Sequence, residues 1–219
     1  MKAITLIFGA LALATVEGHM RMLEPASRTS MWRFPEFAYL NPTETAIDDQ
    51  FWCDNVRQFE QDTRCGVCGD PVQDAVPRPA EYRGQFWRDV TVRNYTAGAT
   101  IQVHLESYAP HGGGIEIHLC DTVPETESCF RKLTLGNGDT FWPMRLGDGD
   151  FDIQTTATLP AGVTCDRCVL RMHYRGAQHW GNCDSSRTCE CDPNSGNPPG
   201  GMGCSEQQTF RACSDISIH

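Results

Sequence analysis

The 219-residue sequence lacks the features that mark membrane-spanning and nucleic-acid-binding chains. Beyond the first 18 residues, no apolar run approaches the ~20 residues that a membrane helix needs. There is no run of lysine and arginine, and the formal net charge is −10. Such a chain is a poor partner for nucleic acid or for an anionic membrane. A neutral partner is compatible with this charge balance.

Helical periodicity is also scarce, and no internal repeat, linker or second domain is visible. Short runs that alternate apolar and polar residues recur instead, separated by turn-rich stretches, as half-buried strands do. The runs are Phe86 to Val92, Ile101 to Leu105, Ile115 to Leu119, Phe151 to Leu159, Val169 to Tyr174 and Ser214 to Ile218. The sequence therefore predicts an all-β fold, an immunoglobulin- or fibronectin-III-like antiparallel β-sandwich with long disulfide-pinned loops.

Two long regions carry few strand signals. Residues 20 to 85 are rich in proline, cysteine and aromatic residues, and we expect a disulfide-pinned excursion with one or two helical turns between Asp48 and Asp62. Residues 175 to 208 are rich in glycine, proline, asparagine and cysteine, which predicts a second long loop. Long loops on a rigid sandwich are common places for function.

The first 18 residues have the pattern of a secretory signal peptide. Lys2 is followed by an apolar run from Ile4 to Val16 that is too short to cross a bilayer. Cleavage after Gly18 places Val16 and Gly18 at the two positions that require small residues, although a competing site follows Ala14. The sequence predicts a signal peptide over 1–18 and a single exported domain over 19–219.

All 12 cysteines lie after residue 18. An even number in an exported chain predicts disulfides, here six, with a connectivity that the sequence leaves open. The pairs Cys65-x-x-Cys68 and Cys165-x-x-Cys168 also have zinc-site spacing, which is the alternative in a reducing compartment. The triplet that begins at Asn94 is an N-glycosylation acceptor in an exported chain.

His19 is the most informative residue, because cleavage after Gly18 would make it the N-terminus. An N-terminal histidine offers its free amine and its ring to the same metal ion. A nitrogen-rich site of this kind suits Cu(II), which also leads the affinity order of the divalent metals. The alternative is that His19 merely lies beside a processing site.

A second histidine would complete such a site. His111 precedes the run Ile115 to Leu119 and has small neighbours, so it can be approached closely by another segment. His179, in the second long loop, is the rival candidate. His104 and His118 fall on the polar phase of strand runs, which predicts exposed strand residues rather than ligands.

Several blocks of the sequence resemble a known family. The opening His19–Arg28 looks like the start of lytic polysaccharide monooxygenases, in which a post-signal histidine precedes Pro-x-x-Arg. Met31–Arg33, Cys65–Asp70 and Glu206–Ile216 resemble its animal-type branch, auxiliary activity family 15, a chitin-binding type-4 domain protein. The blocks occur in the family's order, and the likeness spans residues 19–219 as one copper monooxygenase domain.

The resemblance implies specific roles. His19 supplies its amine and ring to copper, His111 supplies the third nitrogen, and Phe210 fills the axial side of the metal. Ala109 is the small residue that shapes the other axial face and the access of oxygen, and Gln208 is a polar group facing bound oxygen. The residues alone leave alternatives open: Phe210 could be an ordinary core aromatic, Ala109 a strand residue and Gln208 a solvated loop residue.

The implied activity is the copper-dependent oxidative cleavage of an insoluble polysaccharide, chitin first and cellulose second, by a secreted monomer. It needs one copper ion, an external electron donor, and hydrogen peroxide or oxygen as co-substrate. The alternatives are a non-catalytic chitin-binding module and a copper-binding carrier of the same fold. Met20 and the triplet Gly112–Gly114 depart from the family's usual residues, which leaves the substrate more open than the metal.

Overall fold

The computed structural model describes residues 19–51, 53, 65–146 and 151–219. The expected signal peptide lies outside the described residues, as does most of the segment for which helical turns are predicted. Asp48 and Asp49, at the start of that segment, lie in a turn over residues 46–49 and not in a helix. No helix in the described part of the chain is long and apolar enough to span a membrane.

Thirteen strands and three short 3-10 helices make up the described regular structure. The strands, in chain order, are β1 (His19–Glu24), β2 (Arg93–Tyr95), β3 (Thr100–Ala109), β4 (His111–Cys120), β5 (Arg131–Lys132), β6 (Thr134–Leu135), β7 (Trp142–Leu146), β8 (Phe151–Thr158), β9 (Cys165–Arg175), β10 (Trp180–Asn182), β11 (Glu190–Asp192), β12 (Gly200–Met202) and β13 (Thr209–Ile218). The 3-10 helices are Met31–Arg33, Pro35–Leu40 and Glu127–Cys129.

The strands form two packed sheets and a small third one. One sheet has the order β1-β3-β8-β6, and the other has the order β2-β13-β9-β4-β5, with β7 also paired to β4. Pairing is antiparallel throughout except between β2 and β13, which run parallel. The third sheet, β10-β12-β11, lies within the second long loop. The predicted all-β sandwich is confirmed.

Alternating apolar residues from both sheets form the core of the sandwich. β3 contributes Ile101, Val103 and Leu105, and β4 contributes Ile115 and Ile117, all nearly free of solvent. β9 and β13 add a further inward-facing row, which consists of Leu170, Met172, Tyr174, Phe210, Ala212 and Ile216. Because β3 and β4 are consecutive but belong to different sheets, the chain crosses the sandwich between Ala109 and His111.

Five of the six predicted strand runs lie in strands β3, β4, β8, β9 and β13, and the sixth is wrong. Residues 86–92 form turns and bends, and only Arg93–Tyr95 beyond them is a strand. The N–H of Phe86 donates to the carbonyl of Pro79, and that of Trp87 donates to Gly84. The backbone N–H groups of Phe86 and Trp87 are therefore used in local turns and cannot pair with a neighbouring strand.

The segment that contains residues 65–86 covers the outer face of the second sheet. Cys68 and Cys213 form a disulfide across 145 residues, and a small apolar cluster packs around it, with Ala80, Phe86 and Val169. Every residue of β13 is consequently buried, on both faces of the strand. The polar side chains on that outer face lie inside the protein rather than in water.

This cover overturns one sequence prediction, the exposure of His118. The side chain lies on the polar phase of β4, as expected, but it is buried. Its Nε2 is 2.9 Å from Glu116 Oε2, and its ring stacks on His173 of β9 with 5.3 Å between the ring centroids. Alternation predicted the correct face, but not that a loop would cover it.

Two arginines fix the protonation of the stacked histidines. Arg171 Nη2 donates to His118 Nδ1 at 2.9 Å, and Arg211 Nε donates to His173 Nδ1 at 3.1 Å. Burial lowers the pKa of both imidazoles, and it brings the pKa of His173 well below the usual value of a histidine. The positive charges of Arg171 and Arg211 lower both pKa values further. Glu127 accepts hydrogen bonds from both arginines, which offsets their charge.

The 12 cysteines form six disulfides, as the even count predicts, and none is free. The pairs are Cys53–Cys65, Cys68–Cys213, Cys120–Cys129, Cys165–Cys168, Cys183–Cys191 and Cys189–Cys204. Both sequence pairs with zinc-like spacing are therefore oxidised. The last two disulfides pin the second long loop.

Removal of the Cys68–Cys213 disulfide is expected to cost far more stability than removal of Cys165–Cys168. The first closes a sequence separation of 145 residues and the second only 3. Loop-closure entropy puts their contributions at about 5 and about 1.5 kcal/mol. Urea denaturation of the two Cys→Ala double variants measures the difference, and equal losses would contradict the pinning role of Cys68–Cys213.

Acidification is expected to destabilise the protein through His118 and His173. In the unfolded chain both histidines titrate near pH ~6.5, whereas burial lowers the pKa of both in the folded state. Below that pH the unfolded state binds more protons, so stability present above it is lost as the pH falls toward the folded pKa. Each histidine contributes a slope of at most about 1.4 kcal/mol per pH unit, measurable by urea denaturation at each pH.

As the pH falls from about 7.5 to about 5, the free energy of unfolding of His173→Gln is expected to decrease less than that of the wild type. The control is His219→Gln, since His219 is an exposed residue. Asp70 acts with the opposite sign, because burial raises the pKa of that carboxyl to about 6, but it acts equally in all three proteins. An unchanged pH dependence in His173→Gln would refute the assignment.

Candidate metal centre

The first candidate ligand, His19, begins the edge strand of the first sheet. In the antiparallel pairing of β1 with β3, His19 lies opposite Ala109, the last residue of β3. Met20, the next residue, is buried, and its N–H donates to the carbonyl of Asp49 at 2.8 Å. His19 itself is only partly buried. It is thus held at one end of the sandwich with access to solvent.

His111 begins β4, two residues after Ala109, at the point where the chain has crossed to the second sheet. The two candidate ligands therefore reach the same end of the sandwich, one from each sheet. Ala109, which lies opposite His19, and His111 are two residues apart, and in extended chain that separation is about 7 Å. His111 is buried, unlike His19.

The glycines after His111 are required by the backbone. Gly112 and Gly113 have φ values of 65° and 79°, in the left-handed region that favours glycine. A Cβ on Gly113 would lie 2.0 Å from the carbonyl oxygen of Arg175, and one on Gly114 would lie 2.1 Å from the Phe141 ring. The triplet that departs from the family pattern thus lets the start of β4 approach β9 closely.

Gln208 fixes the ring of His111. Its Oε1 lies 2.9 Å from His111 Nδ1 and accepts a second hydrogen bond from Gln178 Nε2 at 2.7 Å. An amide oxygen can only accept, so Nδ1 of His111 carries the proton in this arrangement. In the neutral ring the lone pair is then on Nε2, the atom that would bind a metal.

Tyr174 of β9 connects His111 to Phe210. The backbone N–H of His111 donates to the Tyr174 hydroxyl oxygen at 2.7 Å, and the Tyr174 ring stacks on Phe210 with 5.5 Å between centroids. Phe210 is almost fully buried and belongs to the sandwich core. Burial raises the pKa of the Tyr174 phenol, so the hydroxyl stays protonated.

His179, the rival candidate, lies close to this group but is held by its backbone. Its N–H donates to Gln207 Oε1 at 3.0 Å, and its carbonyl accepts from Gln207 Nε2 and from Gly203 N–H. Among the described residues its buried Nε2 has no hydrogen-bond partner. Burial lowers the pKa of this imidazole.

The structure brings the sequence-predicted residues together in two linked groups. His19 lies opposite Ala109 by strand register, while His111 and Gln208 are in direct contact. Phe210 joins the second group through Tyr174. Sequence reasoning missed Tyr174 and Gln178, although a buried tyrosine needs a partner for its hydroxyl group, which is a usable signal.

A family model decides which class of protein this is. The model described as "Lytic polysaccharide mono-oxygenase, cellulose-degrading" matches residues 19–216. The chain belongs to the lytic polysaccharide monooxygenase family. Its membership makes it a copper-dependent oxidoreductase, as the resemblance implies.

Solved structures support the assignment of this monooxygenase. The structure of "Lytic Polysaccharide Monooxygenase AA15 from Thermobia domestica in the Cu(I) State" is 34% identical, has a TM-score of 0.76, and aligns over 91% of this chain and 98% of that one. The resemblance to auxiliary activity family 15 is thus confirmed. "X-Ray photoreduction of Polysaccharide monooxygenase CBM33" shares the fold, with 12% identity, a TM-score of 0.50, and coverage of 92% and 100%. No curated protein matches the chain.

Proposed function

We propose that this monooxygenase holds one copper ion with three nitrogens, the amine and ring of His19 and Nε2 of His111, and that Phe210 would lie beside the ion without binding it. Two imidazoles and an amine are neutral donors of the type that Cu(II) prefers. An ion held by only three protein donors would still be able to bind a co-substrate. The residues present therefore fit copper.

The main support for this proposal is the ring of His111, which a hydrogen bond to Gln208 holds in one orientation. A ligand ring whose second nitrogen donates to a neighbouring acceptor is held in one tautomer and one orientation, as is typical of metal-binding histidines. Gln208 provides that acceptor. Gln208 is also the polar group that the family resemblance assigns to a position beside oxygen.

Copper in this site would supply the redox chemistry by which an external electron donor, together with hydrogen peroxide or oxygen, oxidises a C–H group beside a glycosidic bond, at C1 or C4. The chain's own part is to hold the ligands, limit access and bind the polymer. Ala109 lies opposite His19 in the strand register, and its small side chain would leave room beside the metal for oxygen. Phe210 is buried, and its ring has no lone pair that could bind the metal.

The substrate we propose is an uncharged polysaccharide, chitin first and cellulose second. Tyr108 and Trp180, 51% and 60% exposed, are aromatic residues that flank the site in sequence, just before Ala109 and just after Gln178. Aromatic faces stack on the apolar faces of sugar rings, and a net charge of −10 does not repel a neutral polymer. The matching family description names cellulose, so both polymers belong in the test.

We further propose that the protein is secreted after cleavage at Gly18 and acts as a monomer, without nucleic-acid or membrane partners. Six disulfides agree with an oxidising compartment. A free amine on His19 exists only if the preceding residues are removed, so export and metal binding depend on the same cleavage.

His111→Ala is expected to abolish tight copper binding and oxidative cleavage together, because it leaves only the two-nitrogen chelate of His19. Calorimetry measures the copper affinity, and paramagnetic resonance measures the ligand set. Release of oxidised oligosaccharides from chitin and from cellulose, with ascorbate as donor, measures the activity. Copper binding without such products from either polymer would favour a non-catalytic module or a carrier.

His179→Ala is the matched control, since His179 is the rival histidine of the same end of the fold. We expect it to retain wild-type copper affinity and spectrum. If His179→Ala loses copper while His111→Ala keeps it, the third ligand is wrongly assigned.

A further inference from the structure

The strand that carries His19 is held by a buried carboxylate outside the metal site. Asp48 has a side-chain exposure of 0% and lies in the turn over residues 46–49. Its Oδ1 accepts from Arg21 Nη1 at 3.1 Å and from Arg33 Nη2 at 2.8 Å, and its Oδ2 accepts from Arg33 Nε. One fully buried carboxylate therefore joins β1 to the 3-10 helix that follows it.

Arg21 is held on its other side by β3. Its Nε donates to Glu106 Oε2 at 3.0 Å, and its guanidinium lies over the Tyr108 ring, 4.6 Å from the centroid. The Tyr108 hydroxyl donates to the same Glu106 oxygen at 3.0 Å. Arg21 thus lies between the turn of Asp48 and the strand that ends opposite His19.

Strand pairing alone fixes the end of β1 weakly. The register between β1 and β3 shifts between His19 and Arg21, as at a β-bulge. The hydrogen bond from Met20 N–H to the Asp49 carbonyl then takes a donor that the ladder does not use. The first two residues after His19 are therefore both tied to the turn that contains Asp48.

We propose that Asp48 and Arg21, with Arg33 and Glu106, form a clamp that presets the position of His19, so that Asp48 and Arg21 are positioning residues of the copper site. The inference rests on the proposed copper function. A chelate through the amine and the ring requires both groups of one terminal residue in a single arrangement. A terminus ordered before binding loses less conformational freedom when the metal arrives, which increases affinity. A clamp two residues from the ligand supplies that order.

Asp48→Asn tests the clamp, because it keeps the shape of the side chain but removes the charge that pairs both arginines. We expect the copper dissociation constant to rise by about tenfold, the lower end of the effect of losing a residue that supports a metal ligand. The matched control is Glu125→Gln. Glu125 is also buried, but it accepts hydrogen bonds from Arg28 and from the N–H of Tyr82, neither of which belongs to β1, and Arg28 in turn pairs with Asp215.

Two measurements separate positioning from general destabilisation. Urea denaturation of the metal-free proteins gives their stability, and calorimetry gives their copper affinity. Both variants are expected to lose stability, but only Asp48→Asn is expected to lose affinity and to broaden the paramagnetic resonance of Cu(II). Wild-type affinity in Asp48→Asn, or equal losses of affinity in the two variants, would overturn the clamp.

Glu106→Gln serves if Asp48→Asn does not fold, since Glu106 is partly exposed and holds only one side of Arg21. We expect a rise in the copper dissociation constant of less than about tenfold, because Asp48 still holds Arg21, and no change would overturn the clamp. Failure of the copper site itself has a different signature. In that case His111→Ala keeps wild-type affinity, whatever Asp48→Asn does.

Discussion

Strand β13 is buried on both faces, so every polar group along it requires a partner inside the protein. One face belongs to the sandwich core, and the other lies beneath the segment pinned by Cys68–Cys213. Asp215 meets this requirement by pairing with Arg28, whose guanidinium also reaches Glu125. Burial of such charges costs free energy unless each is paired. The covering loops and the ion pairs beneath them are therefore needed together.

The candidate metal site depends on β13 and on its neighbours in the centre of the second sheet, β9 and β4. β4 contributes His111, β9 contributes Tyr174, and the start of β13 places Gln208 and Phe210 beside them. His19 and Ala109 come from the opposite sheet. The proposed ligand set therefore joins both sheets at one end of the sandwich, with His111 at the start of β4 and His19 at the start of the edge strand β1, where the proposed clamp acts.

The sequence predicts the sandwich well, because alternation of apolar and polar residues reports directly on strand faces. It fails for Phe86–Val92, where local turns take the backbone donors, and for the exposure of His118, where a distant segment covers the sheet. Periodicity describes one strand at a time and contains no information about what packs over it. The strands of the second long loop are too short, at three residues each, to show alternation.

The candidate site is predictable from sequence in its residue types but not in its contacts. A histidine directly after a predicted signal peptide, and a histidine before three glycines, are visible as motifs. The acceptor role of Gln208 toward His111 and the link through Tyr174 depend on the pairing of β4, β9 and β13, which only the fold defines.

In the proposed site, the free amine of His19 is a copper ligand. Calorimetric titration with Cu(II) can compare protein that begins at His19 with protein that carries one additional glycine ahead of it. The extension converts the amine to an amide while leaving both imidazoles and the clamp in place. Calorimetry should then show tight copper binding only in the protein that begins at His19. Equal affinity in the extended protein would contradict the proposed site.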